Sequence, residues 1–239
     1  MTTPAIDPKR LKHLLRSLID IYSPTGKEDE AIDYLYTTLK RAGLAVTRQM
    51  VDEDRDNLLV LPPDGEAELV FVGHVDTVPA YDYETYETDF EGDTVWGLGA
   101  ADMKGGCAAM IEAFMAWNDS DRELPRAALA LVVGEEENGD GTAALVREYH
   151  FPWAIVGEPT DMGISMSHYG YVELELRAGG KRMHASLAEQ APNAIKAMLS
   201  TLSHLMPMLD AYSPGLIYNL RDMTSSSSGF AVPEWCEAW

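Results

Sequence analysis

The chain has 239 residues, 46% hydrophobic, 9% aromatic and 24% charged, a globular composition that excludes a disordered tail, a collagen-like fibre and a coiled coil. Eighteen basic residues against 39 acidic ones leave a formal charge of −21, a field that repels phosphate backbones and anionic lipid and so argues against nucleic acid or membrane partners. Cys107 and Cys236 make neither a disulfide framework nor a C-x-x-C pair, no apolar run is long enough to span a bilayer, and the amino terminus has no signal-peptide pattern, so a cytoplasmic protein is expected.

The first predicted element is an amphipathic helix over 8–22, where Leu11, Leu14, Leu15, Leu18, Ile19 and Tyr22 recur at helical spacing until Ser23-Pro24 stops them. Thr25, followed three residues later by Glu28, reads as a capping box for a second helix with Ala31, Ile32, Leu35 and Leu39 on its inner face, ending at Gly43. Short strands are expected at 44–51 and 57–61, a turn at 62–65 and a buried strand over 68–72. A helix over 105–117, a continuous apolar strand over 127–133, a helix over 142–149 and a further buried strand over 153–156 follow. Apolar strands separated by helices predict an α/β domain with a mostly parallel sheet flanked by helices. Past residue 167 the pattern changes. Val172, Leu174 and Leu176 alternate with polar residues as on a half-exposed antiparallel strand over 169–177; a helix over 192–209, a strand near 216–221 and a loop at the serine tract 225–228 complete it. The expected organisation is one α/β domain at 1–167 and the beginning of an α+β domain at 168–239.

Four places in the α/β part share one grammar, an apolar run or turn, then small residues, then metal-binding side chains: His74 and Asp76 after 69–73, Asp102 after Gly97-Leu-Gly-Ala-Ala, Glu135-Glu136-Glu137 after 131–134, and Glu158 after 155–157. The carboxyl ends of parallel strands open on the crevice where ligands bind, so these side chains are expected to converge. So many acids in one crevice would repel one another unless a cation neutralised them. Mixed histidine and carboxylate donors suit zinc, manganese or cobalt better than calcium, and two ions sharing a carboxylate would use more of the acids than one. His74 and Asp76 point the same way from an extended segment, which sets Asp76 to orient the imidazole as an acceptor. Taken singly, each signal has an ordinary structural meaning: a surface His-x-Asp, a solvated acidic loop, a helix-capping Asp. Their joint occurrence carries the weight. Rival motifs fail: Asp102 stands where a dinucleotide fingerprint needs a small residue, 136–147 begins with Glu and ends on Arg147 where a calcium loop needs Asp and Glu, and no GxSxG elbow occurs, so the expected nucleophile is water activated at a metal.

At Gly73-His74-Val75-Asp76-Thr77-Val78-Pro79, Gly97-Leu98-Gly99-Ala100-Ala101-Asp102-Met103-Lys104-Gly105-Gly106, Gly134-Glu135-Glu136 and Gly157-Glu158-Pro159-Thr160 the chain resembles the co-catalytic zinc aminoacylase and carboxypeptidase family. That family includes acetylornithine deacetylase, succinyl-diaminopimelate desuccinylase and glutamate carboxypeptidase. The resemblance implies that His74 and Glu158 hold one Zn2+, that Glu136 holds the other and that Asp102 bridges them, with Co2+ or Mn2+ as alternatives. It implies Glu135 as the general base and a small N-acyl amino acid or peptide as the substrate. Gly180-Lys-Arg-Met-His184-Ala-Ser186 resembles the start of the family's lid, through which its members form homodimers, and implies that His184 stabilises the oxyanion. Two departures leave the substrate open: Gly134 stands where many relatives have Asp before the Glu pair, and 229–233 lacks the Asn many carry before Val-Pro. Relatives are longer, and a late histidine completes their second metal site. Two expectations follow: most of a dinuclear amide hydrolase, or a catalytically incomplete member that binds a single metal or acts as an interaction module.

Overall fold

The computed structural model describes residues 4–80, 86–120, 126–168, 170–212, 216–226 and 229–239. By internal packing the chain divides into two compact units, Met1–Ser165 and Met166–Trp239.

In the first unit α1 (Pro8–Asp20) begins with proline in its first turn and Asp7 as cap, whose carboxylate accepts from the Lys9 and Arg10 amides. Leu14, Leu18 and Ile19 form its buried stripe. The expected capping box does not form. Helix α2 (Asp29–Arg41) starts after Glu28, and the Thr25 hydroxyl donates instead to the Asp76 carboxylate at 2.8 Å. The reason is tertiary: residues 23–25 are bridged to Thr77, which turns Thr25 towards Asp76 and away from the helix end.

The sheet is built from β1 (Val46–Met50), β2 (Asp56–Val60), β3 (Leu69–His74), β6 (Ala127–Val132) and β7 (Trp153–Val156) in the order β1-β2-β6-β3-β7. A short hairpin of β4 (Asp89–Glu91) and β5 (Thr94–Trp96), which the sequence reading did not anticipate, and α3 (Gly105–Asn118) lie between β3 and β6; α4 (Asp140–Glu148) lies between β6 and β7. The α/β expectation is met by a mixed sheet. Strands β6, β3 and β7 pair in parallel, with helices in their crossovers, whereas β1 with β2 and β2 with β6 are antiparallel. The loop 51–55 between β1 and β2 is too short for a parallel crossover. One face of the sheet buries Leu58, Leu129, Leu131 and Phe71 under α1, α2 and α3; the other buries Leu59, Val70, Ala130 and Val132 against Leu145 of α4. Strand β6 is buried throughout, as its unbroken apolar run predicts. Strand β7, expected to be buried, is not: among the described residues it pairs only with β3, at the sheet edge, and Trp153 remains 70% exposed.

The second unit is an antiparallel sheet in the order β8-β10-β9, made of β8 (Leu176–Gly179), β9 (Met223–Ser225) and β10 (Trp235–Ala238), with α5 (Ala194–Tyr212) packed on it through Ala194, Met198 and Leu202 against Cys236 and Ala238. The strand expected over 169–177 is confined to its end. Among the described residues, 170–175 join no ladder, and Val172 is 79% exposed; Tyr169 lies outside the described residues. The strand expected at 216–221 falls on Met223–Ser225, where β10 supplies a partner. Of the serine tract, Ser225 ends β9 and the Ser226 hydroxyl accepts from the Glu234 and Trp235 amides; 227–228 lie outside the described residues. Among the described residues no helix is long and apolar enough to cross a membrane.

Candidate metal centre

Three neighbouring parallel strands, β6, β3 and β7, end on the same side of the sheet. The last residue of β3 is His74, β6 runs into the Gly134–Glu137 turn, and Glu158 follows β7 by two residues. This is the carboxyl edge at which α/β sheets bind ligands. Asp102 arrives by another route, from an irregular turn at Ala100–Lys104 between Gly99 (φ 73°) and α3, with a cis peptide between Asp102 and Met103. A Cβ on Gly99 would stand 2.5 Å from Thr77 Cγ2, so only glycine admits that turn so close to the β3 end.

Side chains meet at the His74 imidazole, which is 1% exposed. Its Nδ1 donates to the Asp76 backbone carbonyl at 3.0 Å and lies 3.5 Å from Asp76 Oδ1. A carbonyl only accepts, so Nδ1 carries the hydrogen and Nε2 is the nitrogen that faces the converging carboxylates. Asp102 Oδ1 lies 3.1 Å, Glu158 Oε1 3.6 Å and Glu135 Oε2 3.7 Å from Nε2. Among the described residues, His74, Asp102 and Glu158 form the cluster whose donor atoms all fall within 4.8 Å of one another. Burial opposes the imidazolium, but the Asp76, Glu158 and Glu135 carboxylates outweigh it and push His74 up to about 9. Burial, reinforced by Asp102 and Glu135 against the pull of His74, pushes Glu158 up to about 7. Glu136 is also raised, by burial and then by Asp102, Asp76 and Glu135 against His74. Carboxylates that raise one another around an imidazole are a site that gathers positive charge, and one nitrogen with several oxygens fits zinc, manganese or cobalt.

Asp76 stands behind the ring, fully buried. Burial alone would raise it, yet the His74 ring, the Glu136 amide at 3.0 Å and the Thr25 hydroxyl hold it below the usual carboxylate range. It therefore orients His74 and also fastens the turn that carries Glu135 and Glu136. Thr25 was missed as part of this support because its spacing to Glu28 resembles a helix cap; only its distance to Asp76 reveals it. His184 belongs to the second unit, exposed, at the head of a short 3₁₀ turn, where its Nδ1 accepts from the Ser186 amide at 3.3 Å. The remaining sequence-assigned residues, His74, Asp76, Asp102, Glu135, Glu136 and Glu158, lie in the first unit around one imidazole.

The profile of Peptidase family M20/M25/M40 matches residues 70–217. The chain belongs to this family. Among M20 relatives, succinyl-diaminopimelate desuccinylase of Beijerinckia indica is 30% identical over 215 residues, 81% of this chain and 56% of that protein. A crystal structure of a Staphylococcus aureus tripeptidase superposes with a TM-score of 0.71 at 18% identity, covering 98% of this chain and 65% of that one. A Bacillus subtilis dinuclear metal binding peptidase from the M20 family gives a TM-score of 0.57 at 14% identity, over 96% of this chain and 62% of that one. These likenesses show the M20 fold and bear out the resemblance read from the motifs. The chain spans about half the length of the curated relatives it matches.

Proposed function

We propose that this chain provides the metal site and general base of an M20 hydrolase that cleaves an amide bond of an N-acyl amino acid or small peptide, with Zn2+ as the expected ion and Co2+ or Mn2+ as alternatives. The observation that carries the reading is the convergence of Asp102, Glu158 and Glu135 on His74 Nε2. His74 and Glu158 would hold one ion, Glu136 the other, and Asp102, between them, both. When bound, the metal supplies Lewis acidity, which makes water acidic at neutral pH and polarises the scissile carbonyl. Glu135, whose side chain is about half exposed beside the ligands, accepts a proton from the attacking water and passes it to the leaving amine. Asp76 keeps the His74 ring in the tautomer that leaves Nε2 free to ligate. For His184, the Ser186 amide on Nδ1 favours a hydrogen on Nε2, which makes that nitrogen a donor for an oxyanion, and the second unit would be the lid through which two copies associate. The name of the desuccinylase relative supports an N-acyl amide substrate.

The test loads the protein with zinc or cobalt and follows hydrolysis of a panel of N-acetyl and N-succinyl amino acids and dipeptides. Glu135→Ala is expected to abolish turnover with bound metal near the wild-type amount. Retained turnover overturns the base assignment, and loss of stoichiometric metal binding on Glu135→Ala overturns its separation from the ligands.

A further inference from the structure

The turn that carries Glu135 and Glu136 is gripped from behind by a side chain outside the chemistry described so far. Arg55 closes the loop before β2, where the Val51 and Asp52 amides donate to its carbonyl, and its side chain is 15% exposed. Its Nη2 lies 2.8 Å from Oδ2 of Asp140, the first residue of α4, and 2.6 Å from Asp52 Oδ2; its Nη1 lies 3.9 Å from Glu28 Oε1. The same Nη1 rests on Gly134: a Cβ there would stand 2.8 Å from it, and Gly134 holds φ +73°. One planar guanidinium thus touches both ends of the 134–140 segment, whose neck is closed by the Gly139 amide donating to the Gly134 carbonyl at 2.7 Å. In the middle of the segment the Glu136 amide reaches Asp76 at 3.0 Å.

We propose that Arg55 is a positioning residue that clamps Gly134 and Asp140 and thereby fixes where Glu135 and Glu136 stand against Asp76 and His74. The physical need is plain. The segment contains two glycines at positive φ, which lose much backbone freedom on ordering, and three adjacent glutamates that repel one another. A rigid fork with five donors meets Asp140 and Asp52 together while its Nη1 packs close to Gly134; a lysine ammonium would satisfy one partner as a point charge. The inference rests on the hydrolase reading only for its kinetic consequence. Misplacing a catalytic group by an ångström costs on the order of 100-fold in rate.

The deciding experiment is residue-resolved hydrogen exchange on the chain, comparing wild type with Arg55→Ala, Arg55→Lys, Glu28→Gln and the Arg55→Ala/Glu28→Gln pair. Arg55→Ala is expected to speed exchange at the Glu136 and Gly139 amides by about 10-fold or more, with Leu129 and Leu131 of β6 within about two-fold of wild type. Arg55→Lys is expected to recover only a minor part, and the effect to persist in the Glu28→Gln background. Unchanged exchange at Glu136 and Gly139, a uniform rise that includes β6, or disappearance of the effect with Glu28→Gln overturns the proposal, the last because Arg55 would then serve Glu28 alone. If Arg55→Ala does not fold, Asp140→Ala removes the same contact from the other side and must give the same local pattern. In the turnover assay Arg55→Ala is expected to lower kcat by about 10- to 100-fold with KM within about two-fold. Absence of turnover in wild type would count against the hydrolase reading and leave the exchange result to decide on Arg55.

Discussion

Gly106, in the first turn of α3, lies directly against the carbonyl of Gly157: a Cβ on Gly106 would stand 2.2 Å from that oxygen. Gly73 gives the same room beneath β3, where a Cβ would meet Cys107 Sγ at 2.7 Å and the Met103 and Met110 methyls at 2.8 Å. Helix α3 is thereby pressed onto the backbone that delivers His74 and Glu158. Gly106→Ala is expected to push the Gly157–Glu158 segment away, to lower stability by about 1–3 kcal/mol and to weaken zinc binding measurably. Calorimetric titration with zinc checks it; wild-type affinity in a folded Gly106→Ala protein would contradict the packing argument.

Asp76 touches no open space, yet it holds three things at once, the His74 ring, the Thr25 hydroxyl and the Glu136 amide. Asp76→Asn keeps the volume and removes the charge. Zinc affinity is expected to fall by about 10- to 100-fold with the far-ultraviolet circular dichroism unchanged. Loss of the fold would instead assign Asp76 a chiefly structural part.

Glu28 is 1% exposed, and burial raises it above the ordinary carboxylate range, with Asp76 adding to the rise and Arg55 opposing it. A folded-state value above the unfolded one means that the folded protein holds this proton more tightly. Its contribution to stability is therefore fully present below the unfolded value of about 4.3 and is lost as pH rises through the folded value. Glu28→Gln removes that loss, so its melting temperature is expected to exceed that of wild type by a few degrees at pH 7, on the order of 2–4 °C for each kcal/mol, and to match it near pH 4. Thermal melts across that range test the sign. A variant that is less stable at pH 7 would show that attraction to Arg55 outweighs burial.

Cys107 is buried beneath the site, and burial, with Glu158 and Asp76 adding to it, pushes its thiol up to about 12. The thiol donates to the His74 carbonyl at 3.1 Å. Cys236, also buried, is raised as well, first by burial and then by Glu237. A chromogenic disulfide reagent at pH 8 is expected to find no reactive thiol in the native protein and two after denaturation. Rapid labelling of one thiol in the native state would show that a buried cysteine becomes accessible through local opening.

The elements that announced themselves in the sequence are those whose pattern is enforced over one stretch of chain. The stripe of α1, the unbroken apolar run of β6 and the small residues preceding His74, Asp102, Glu135 and Glu158 all answer to local geometry, and all were legible. The family followed from the same four places, because a metal centre needs particular donors on particular turns. What sequence left undecided depends on which segments become neighbours. Thr25 turns from the helix start to hold Asp76, β7 takes the sheet edge and stays exposed, residues 170–175 find no ladder partner among the described residues, and Arg55 reaches Gly134 and Asp140 from 79 and 85 residues away. A hydrogen bond or a close backbone approach between distant residues leaves no periodicity in the chain. Sequence could therefore name the candidate donors, but only the tertiary structure decided which side chains surround them.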